Sequence, residues 1–338
     1  MCENILIMFP KELWLSLLIS VLLLSCNEFV EKTDLIQQND DSLVLESDQV
    51  EGVSLVILGT VQDAGSPQIA CQKECCKDLF ENPDYTRKVV SLGLVDSKNR
   101  ATYLFEATPD LPSQMERLNQ FSKSDLGKVP DGIFLTHAHM GHYTGLMYFG
   151  KEAMNAHNVP VYAMPRMQSF LETNGPWSQL VANENIAIRP LLSGGEVQLS
   201  DEIYVQPILV PHRDEYSETV GFIIKGPSKS ALFIPDIDKW DKWEKDIIGM
   251  IKQVDYAFLD ATFYDAEEIN NRDISEIPHP FVVESMEKFG DLPIEEKEKI
   301  YFIHFNHTNP LLTKGSVQRE HVLKVGYNIA DFEMVIKM

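Results

Sequence analysis

The stretch Thr136-His137-Ala138-His139-Met140-Gly141-His142 is the most informative segment of this chain. It follows a short apolar run, Gly132–Thr136, which is predicted to be a buried strand. Because side chains alternate along an extended backbone, His137 and His139 are expected to point the same way. Imidazole is a preferred zinc ligand, and two imidazoles at one strand end supply half of a tetrahedral site. Three of the nine histidines fall within six positions, which predicts a metal site.

Further ligand-type side chains end later predicted strands. His212 closes Val210-Pro211-His212, 70 residues after His142. Asp236 follows Ile234-Pro235, and His304 ends a late strand. In this order, the segments resemble the HxHxDH motif and the downstream ligands of the metallo-β-lactamase superfamily, across residues 53–338. The resemblance implies an α/β fold, the four-layer αββα sandwich, with a metal site at one edge between its two sheets.

Other segments resemble a narrower branch of that superfamily, the pyrroloquinoline quinone (PQQ) biosynthesis protein B group. They are Gly59–Gln68, Glu106–Gln114, Asp260–Phe263 and His304–Pro310. The resemblance to the superfamily as a whole implies a first metal position formed by His137, His139, His212 and Asp236, with zinc as the expected ion and Mn²⁺ or Fe²⁺ as alternatives.

The chain departs from the superfamily motif at Gly141, where the motif has aspartate. A second metal position would then have only His142, His304 and a bridging Asp236, which is one ligand short. We therefore expect one firmly bound ion and partial occupancy of the second position. An aspartate introduced at position 141 is expected to strengthen that position if space allows.

Three cysteines, Cys71, Cys75 and Cys76, lie within six residues. A structural zinc site, a disulfide and free buried thiols are the three interpretations. Relatives in the superfamily carry a comparable cysteine cluster that binds zinc with a histidine three residues beyond the last catalytic one, which would be His307 here. We expect the structural zinc.

Several other polar residues are candidates for the site. His279, in Ile277-Pro278-His279-Pro280, is expected either to approach the metal or to lie on a surface loop. Asp110 is expected to cap a helix, with contact to a metal-binding histidine as the alternative. The turn Arg213–Glu215 follows His212 and either contacts substrate or is solvated. The predicted catalytic residues are His142, Asp236 and His279.

The coarse pattern of apolar runs predicts the secondary structure of the domain. Helices are predicted at Leu111–Phe121, Leu146–Asn155, Lys239–Lys252 and Pro280–Phe289. Strands are predicted at Val53–Thr60, Val89–Asp96, Thr102–Phe105, Gly132–Thr136, Val159–Ala163, Ile203–Leu209, Thr219–Ile224, Ala231–Ile234, Tyr256–Leu259 and Lys299–Ile303.

The N-terminal part of the chain is predicted to direct export. Leu13–Leu24 is a run of twelve apolar or small residues, too short for a comfortable membrane span. It ends in Leu-Leu-Ser-Cys, which resembles the bacterial lipobox and predicts lipidation of Cys26. We therefore divide the chain into a lipoprotein signal peptide at 1–26, an acidic disordered tether at 27–51 and the metallo-β-lactamase-like domain at 52–338.

Composition limits the class of protein and of partner. With 338 residues, 44% of them hydrophobic and 24% charged, the chain is an ordinary globular protein rather than a multi-span membrane protein. The net charge of −22 repels phosphate backbones and argues against nucleic acid as a partner. We expect a small-molecule substrate and a membrane contact through the lipid anchor.

These observations favour a metal-dependent hydrolase in which metal-bound hydroxide attacks an ester, lactone, amide or phosphodiester. The alternatives are a protein of PQQ-biosynthesis type, with oxidative chemistry and iron, and a non-catalytic binding lipoprotein with a decayed metal site. Only Gly141 supports the last alternative.

Overall fold

A computed structural model describes residues 50–122, 128–269 and 276–338. The predicted signal peptide, the lipidation site Cys26 and residues 27–49 of the predicted tether lie outside these ranges. Contacts group Asp48–Met338 into one compact unit. Within the described ranges, no helix combines the length and the apolar character that crossing a bilayer requires.

Two mixed β-sheets form the centre of this unit. In the described residues the first sheet has seven strands, in the order β14-β1-β2-β3-β4-β5-β6. Its strands are β1 Val53–Gly59, β2 Ser91–Asp96, β3 Ala101–Phe105, β4 Gly132–Phe134, β5 Val159–Ala163, β6 Ile186–Pro190 and β14 Val335–Lys337.

The second sheet has seven strands in the described residues as well, in the order β13-β12-β11-β10-β9-β8-β7. They are β7 Val197–Gln198, β8 Tyr204–Leu209, β9 Val220–Lys225, β10 Ser230–Ile234, β11 Tyr256–Asp260, β12 Ile300–Ile303 and β13 Asn328–Ile329. Each sheet takes almost all of its strands from one half of the domain, and β14 alone returns to the first sheet.

Aromatic packing joins the inner faces of the two sheets. Phe105 and Phe134 of the first sheet stack at 5.0 Å between ring centroids. Phe222 of the second sheet contacts their edges at 5.4 and 5.7 Å. These rings belong to one buried cluster with apolar side chains of both sheets, so the main core lies between the sheets.

Helices cover both outer faces and complete a four-layer αββα sandwich, as predicted. Leu118 of one helix packs with the first sheet, whereas Ile251 and Val282 of two others pack with the second. The α-helices are α1 Glu74–Lys77, α2 Leu111–Ser122, α3 Met140–Tyr143, α4 Pro165–Thr173, α5 Trp177–Ala182, α6 Ile247–Lys252, α7 Val282–Lys288, α8 Ile294–Lys297 and α9 Val317–Lys324.

The predicted strands are confirmed with shifts of one or two residues at their ends, but two predicted helices are wrong. In place of Leu146–Asn155 there is a 3₁₀ helix, Thr144–Phe149, that ends where Gly150 becomes extended. The predicted helix Lys239–Lys252 is interrupted because Asp246 caps a new helix by accepting a hydrogen bond from Ile248 N.

The strand directions bring polar loops to a single edge. In the first sheet, β1, β3 and β4 run the same way, since β1 and β3 are each antiparallel to β2 and β3 is parallel to β4. In the second sheet, β8, β10, β11 and β12 share one direction for the same reason. An isolated bridge, Val61 to Phe305, joins the two edges where β1 and β12 end. Loops that follow seven strands therefore meet there.

Candidate metal centre

The four residues predicted to form the first metal position come together at this edge. Each offers one ligand atom, and these atoms all lie within 4.8 Å of one another. The Asp236 carboxylate lies 3.3 Å from His137 Nε2, 3.9 Å from His139 Nδ1 and 3.1 Å from His212 Nε2. The loops after β4, β8 and β10 thus supply a three-histidine, one-carboxylate cluster.

The polar atoms of this cluster fit a metal ion. His137 Nε2, His212 Nε2 and one oxygen of Asp236 are buried and have no hydrogen-bond partner. Such atoms are costly inside a protein unless something satisfies them. Three imidazole nitrogens and a carboxylate oxygen that converge in this way are the donor set that zinc prefers.

Each of these imidazoles also has a polar partner on its far side. His137 Nδ1 lies 2.8 Å from the hydroxyl of Thr136, which donates in turn to Glu106 at 2.5 Å. His139 Nε2 lies 3.5 Å from a Glu215 oxygen. In the same way, a carboxylate oxygen of Asp238 lies 3.4 Å from His212 Nδ1. The hydrogen bond with Thr136 fixes the tautomer of His137 that leaves Nε2 free to bind metal, and carboxylates lie near the outer nitrogens of His139 and His212.

His279 lies at the centre rather than on a surface loop. Its Nδ1 lies 2.8 Å from an oxygen of Asp260 and 3.2 Å from Asp236. His304 follows β12, and its Nδ1 lies 2.8 Å from the hydroxyl of Thr262, which donates to Asp260 at 2.7 Å. Asp236, Asp260, His279 and His304 form a second group with ligand atoms within 4.8 Å of one another.

A third group consists of Asp63, His142 and His304, again within 4.8 Å. His142 Nε2 is 3.8 Å from Asp236, and its Nδ1 is 3.4 Å from Glu106. Three residues of the centre, Asp63, Asp260 and Glu106, were not among the predicted site residues. All three lie in segments that carried the resemblance to the narrower group, which was the available signal.

The chain is similar to proteins of one superfamily. Residues 101–305 match the family model of the beta-lactamase superfamily domain. The chain belongs to this superfamily.

The similarity to PQQ synthesis protein B extends over most of the domain. The protein from Nitrosococcus oceani is 22% identical over 309 residues, covering 81% of this chain and 96% of that protein. One from Methylobacillus flagellatus is 24% identical over 307 residues, with the same coverage. The predicted resemblance to this group is confirmed.

Solved structures show the same fold. The crystal structure of Zn²⁺-bound PqqB from Methylobacterium extorquens aligns with a TM-score of 0.69 at 20% identity, covering 84% of this chain and all of that one. A diphosphatase from the PhnP family aligns with a TM-score of 0.61 at 20% identity, covering 85% and 98%. The His/Asp groups of this chain are of the kind that could hold a metal ion.

Burial and charge set the protonation of the centre. Burial holds the pKa of His137 well below its usual value, and His142 adds to that effect. Burial opposes ionisation of Asp236 too, but His212 and His279 outweigh it and lower its pKa well below the usual range. Burial likewise lowers the pKa of His212, yet Asp236 reverses the effect and raises it to about 9. An ionised carboxylate thus lies at the middle of the centre, which favours a cation there.

The cysteine cluster also forms as predicted from the resemblance. Ligand atoms of Cys71, Cys75, Cys76 and His307 lie within 4.8 Å of one another, and the three thiols are free. His307 Nδ1 is 3.1 Å from the side-chain oxygen of Asn306, which leaves Nε2 for a metal. Burial raises the pKa of Cys75 to about 12, so a bound cation is needed to hold this thiol as thiolate.

Of the two remaining candidates, Asp110 has a structural position, whereas Arg213 lies beside a predicted metal ligand. Asp110 does not cap α2 with its side chain, because its carboxylate accepts a hydrogen bond from Val89 N at 2.8 Å and lies 3.5 Å from Lys88. Arg213 lies at the exposed rim of the metal centre, with Nη2 3.4 Å from His139 Nε2. Asp214 is turned toward α4 and pairs with Arg166 at 3.2 Å.

Proposed function

We propose that this protein is a metal-dependent hydrolase of small molecules that carry an ester, lactone, amide or phosphodiester bond. The observation that carries the proposal is the convergence of buried, unpartnered donor atoms of His137, His212 and Asp236 on one point. A bound zinc ion supplies Lewis acidity and makes water acidic enough to react near neutral pH. His139 completes the donor set at the solvent-facing side.

Within this proposal, His279 is the proton-transfer group. Its Nδ1 is held by Asp260 at 2.8 Å, which orients the ring, and its side chain is 13% exposed. His142 and Asp236 are fully or almost fully buried and are held from several sides. Among the three predicted catalytic residues, His279 is therefore the one that a substrate reaches most directly. In this proposal it protonates the leaving group.

The rim supplies substrate contacts from the two loops that carry metal-binding histidines. Met140, next to His139, and Tyr216, in the loop after His212, are 74% and 64% exposed. Arg213 contributes a positive charge beside His139. An apolar or aromatic group with a nearby negative charge suits this rim.

A role in PQQ biosynthesis is the second candidate. It is favoured by the similarity to PQQ synthesis protein B over 81% of the chain. The same centre would then serve an oxidative reaction with iron. The full set of imidazoles around Asp236 and the predicted export of the chain favour the hydrolase.

For location, we infer export and lipidation at Cys26, with the domain held at the periplasmic or outer-membrane face. The support is the Leu-Leu-Ser-Cys sequence after twelve apolar or small residues. The partner is then a small molecule outside the cytoplasm, and nucleic acid is disfavoured by the charge of −22.

The test combines metal analysis with substrate screening. The full chain is reconstituted with Zn²⁺, Mn²⁺ or Fe²⁺ and assayed against esters, lactones, β-lactams and phosphodiesters. His139→Ala is expected to lose first-position metal and turnover together. His157→Ala, a change at an exposed histidine, is the matched control and should keep both. Full metal content with full turnover in His139→Ala would refute the proposal, and activity restricted to iron with an oxidant would favour the second candidate.

A further inference from the structure

The backbone of Gly141 lies so close to Asp63 that there is no space for a side chain at position 141. A side-chain Cβ built at position 141 would overlap the Cβ and the Cα of Asp63. Gly141 is the second residue of the short helix α3, and Asp63 lies in the turn after β1. Asp63, which comes from a different loop, therefore fills the space that a side chain at position 141 would need. The expectation that Gly141→Asp would strengthen the second position fails, because there is no room for it.

The Asp63 carboxylate lies near two imidazoles whose nitrogen atoms are available to bind a metal ion. His142 and His304 are fully buried, and neither His142 Nε2 nor His304 Nε2 has a hydrogen-bond partner. One ring nitrogen of each histidine lies within 4.8 Å of an Asp63 oxygen. Asp236, already part of the first position, is 3.8 Å from His142 Nε2. Two imidazoles and two carboxylates thus surround a point next to the first position.

The backbone around Asp63 is fixed by contacts with the segment that carries His304. Gln62 N donates to the carbonyl of Phe305 at 2.8 Å, and Phe305 N donates to Thr60 at 2.8 Å. Farther along the turn, Gln68 N lies 3.4 Å from the sulfur of Cys76. The turn that carries Asp63 is therefore held between the end of β12 and the cysteine cluster.

We propose that Asp63 is the carboxylate ligand of a second cation position, formed with His142, His304 and a shared Asp236. The cation is a divalent ion such as Zn²⁺ or Mn²⁺, which these nitrogen and oxygen donors suit. The inference rests on the proposed metal centre but adds a ligand that comes from a different loop. Gly141 is then a spatial requirement for Asp63 rather than a sign of a decayed site.

The test counts metal ions in the full chain after loading with excess Zn²⁺ and removal of free metal. Wild type is expected to hold three equivalents, two in the centre and one at the cysteine cluster. Asp63→Ala should hold two, and the isosteric Asp63→Asn should bind the second centre ion at least tenfold more weakly in chelator competition. Glu74→Gln, which removes an exposed carboxylate of α1 that pairs with Lys77, should hold three.

Cobalt substitution identifies which ion is lost. Thiolate-to-cobalt absorption reports the cysteine cluster, and it should be unchanged in Asp63→Ala. Unchanged stoichiometry and affinity in both Asp63 variants would overturn the inference, and so would loss of the thiolate-bound ion alone. A wild-type centre that binds no ion at all would instead overturn the proposed hydrolase, which keeps the two failures apart.

Discussion

At the scale of single residues, two threonines connect metal-binding imidazoles to buried carboxylates. Thr136 links His137 to Glu106, and Thr262 links His304 to Asp260. Glu106 and His304 both have left-handed backbone, with φ of +84° and +68°. Conformations of this kind cost energy in residues other than glycine and are found where surrounding structure imposes them, often at functional sites. The backbone of Glu106, which holds His137 through Thr136, is therefore fixed by its surroundings in the same way as the backbone of the ligand His304.

Thr136→Val keeps the shape of the side chain and removes the hydroxyl between His137 and Glu106. We expect metal affinity at the first position to fall about 10–100-fold, because the imidazole loses its orienting partner. Chelator competition measures this directly. Thr102→Val is the matched control, since its buried hydroxyl has no hydrogen-bond partner and lies in β3. Equal affinities for the two variants would contradict the role of Thr136.

Glu268, which is not itself a predicted metal ligand, leads us to expect a pH dependence of stability. Burial raises its pKa from 4.5 to about 6, while Tyr264 N and the Thr308 hydroxyl donate to it. The folded protein thus binds this proton more tightly than the unfolded chain, so the stabilising contribution is present below pH 4.5 and is lost as pH rises through about 6. The difference corresponds to about 2 kcal/mol.

Glu268→Gln removes this titration and keeps the size of the side chain. Relative to wild type, the variant should gain up to about 2 kcal/mol of unfolding free energy as pH rises from about 4.5 to 7. Denaturant unfolding at several pH values measures it. Glu267→Gln, at an exposed neighbour, should show no such trend. A pH-independent difference for Glu268→Gln would contradict the prediction.

At the scale of elements, the segment His304–His307 connects two clusters. His304 belongs to the metal centre, Phe305 pairs with the chain after β1, and His307 faces the cysteines. The loop between β1 and β2 makes the matching connections, since it carries both Asp63 and the three thiols. A metal at the cysteine cluster would close this loop onto the end of β12.

Loss of one ligand from the cysteine cluster should therefore destabilise the fold. For Cys75→Ser and His307→Ala we expect one zinc equivalent fewer and a clearly lower melting temperature, because structural zinc contributes its binding energy to folding. First-position metal should remain. His321→Ala, at an exposed histidine of α9, is the control. Unchanged melting temperatures and zinc content would rule out a structural metal here.

At the scale of the whole molecule, the acidic chain is expected to be tethered at its N-terminal side. Cys26→Ser should release the protein from the membrane fraction, because lipidation requires the thiol of the Leu-Leu-Ser-Cys sequence. Fractionation with mass spectrometry of the N-terminus measures this. Ser25→Ala keeps the cysteine and is the matched control. An intact leader and unchanged fractionation in Cys26→Ser would refute lipidation.

The sequence by itself determined the layers of the fold and most of the first metal position. The apolar strands and the pair His137 and His139 are local patterns, whereas His212 and Asp236 follow from an order along the chain that resembles the superfamily. The failed helices at Leu146–Asn155 and Lys239–Lys252 show the limit, because local caps and turns at Gly150 and Asp246 interrupt them.

The tertiary structure alone decided the second position and the outer partners of the centre. Asp63 lies 78 residues before Gly141 along the chain, and nothing in either local pattern indicates that one fills the space of the other. Glu106, Asp260 and Thr262 likewise reach the centre only because strands from two sheets end at one edge. Distances between loops depend on sheet order and strand direction, which are properties of the whole fold.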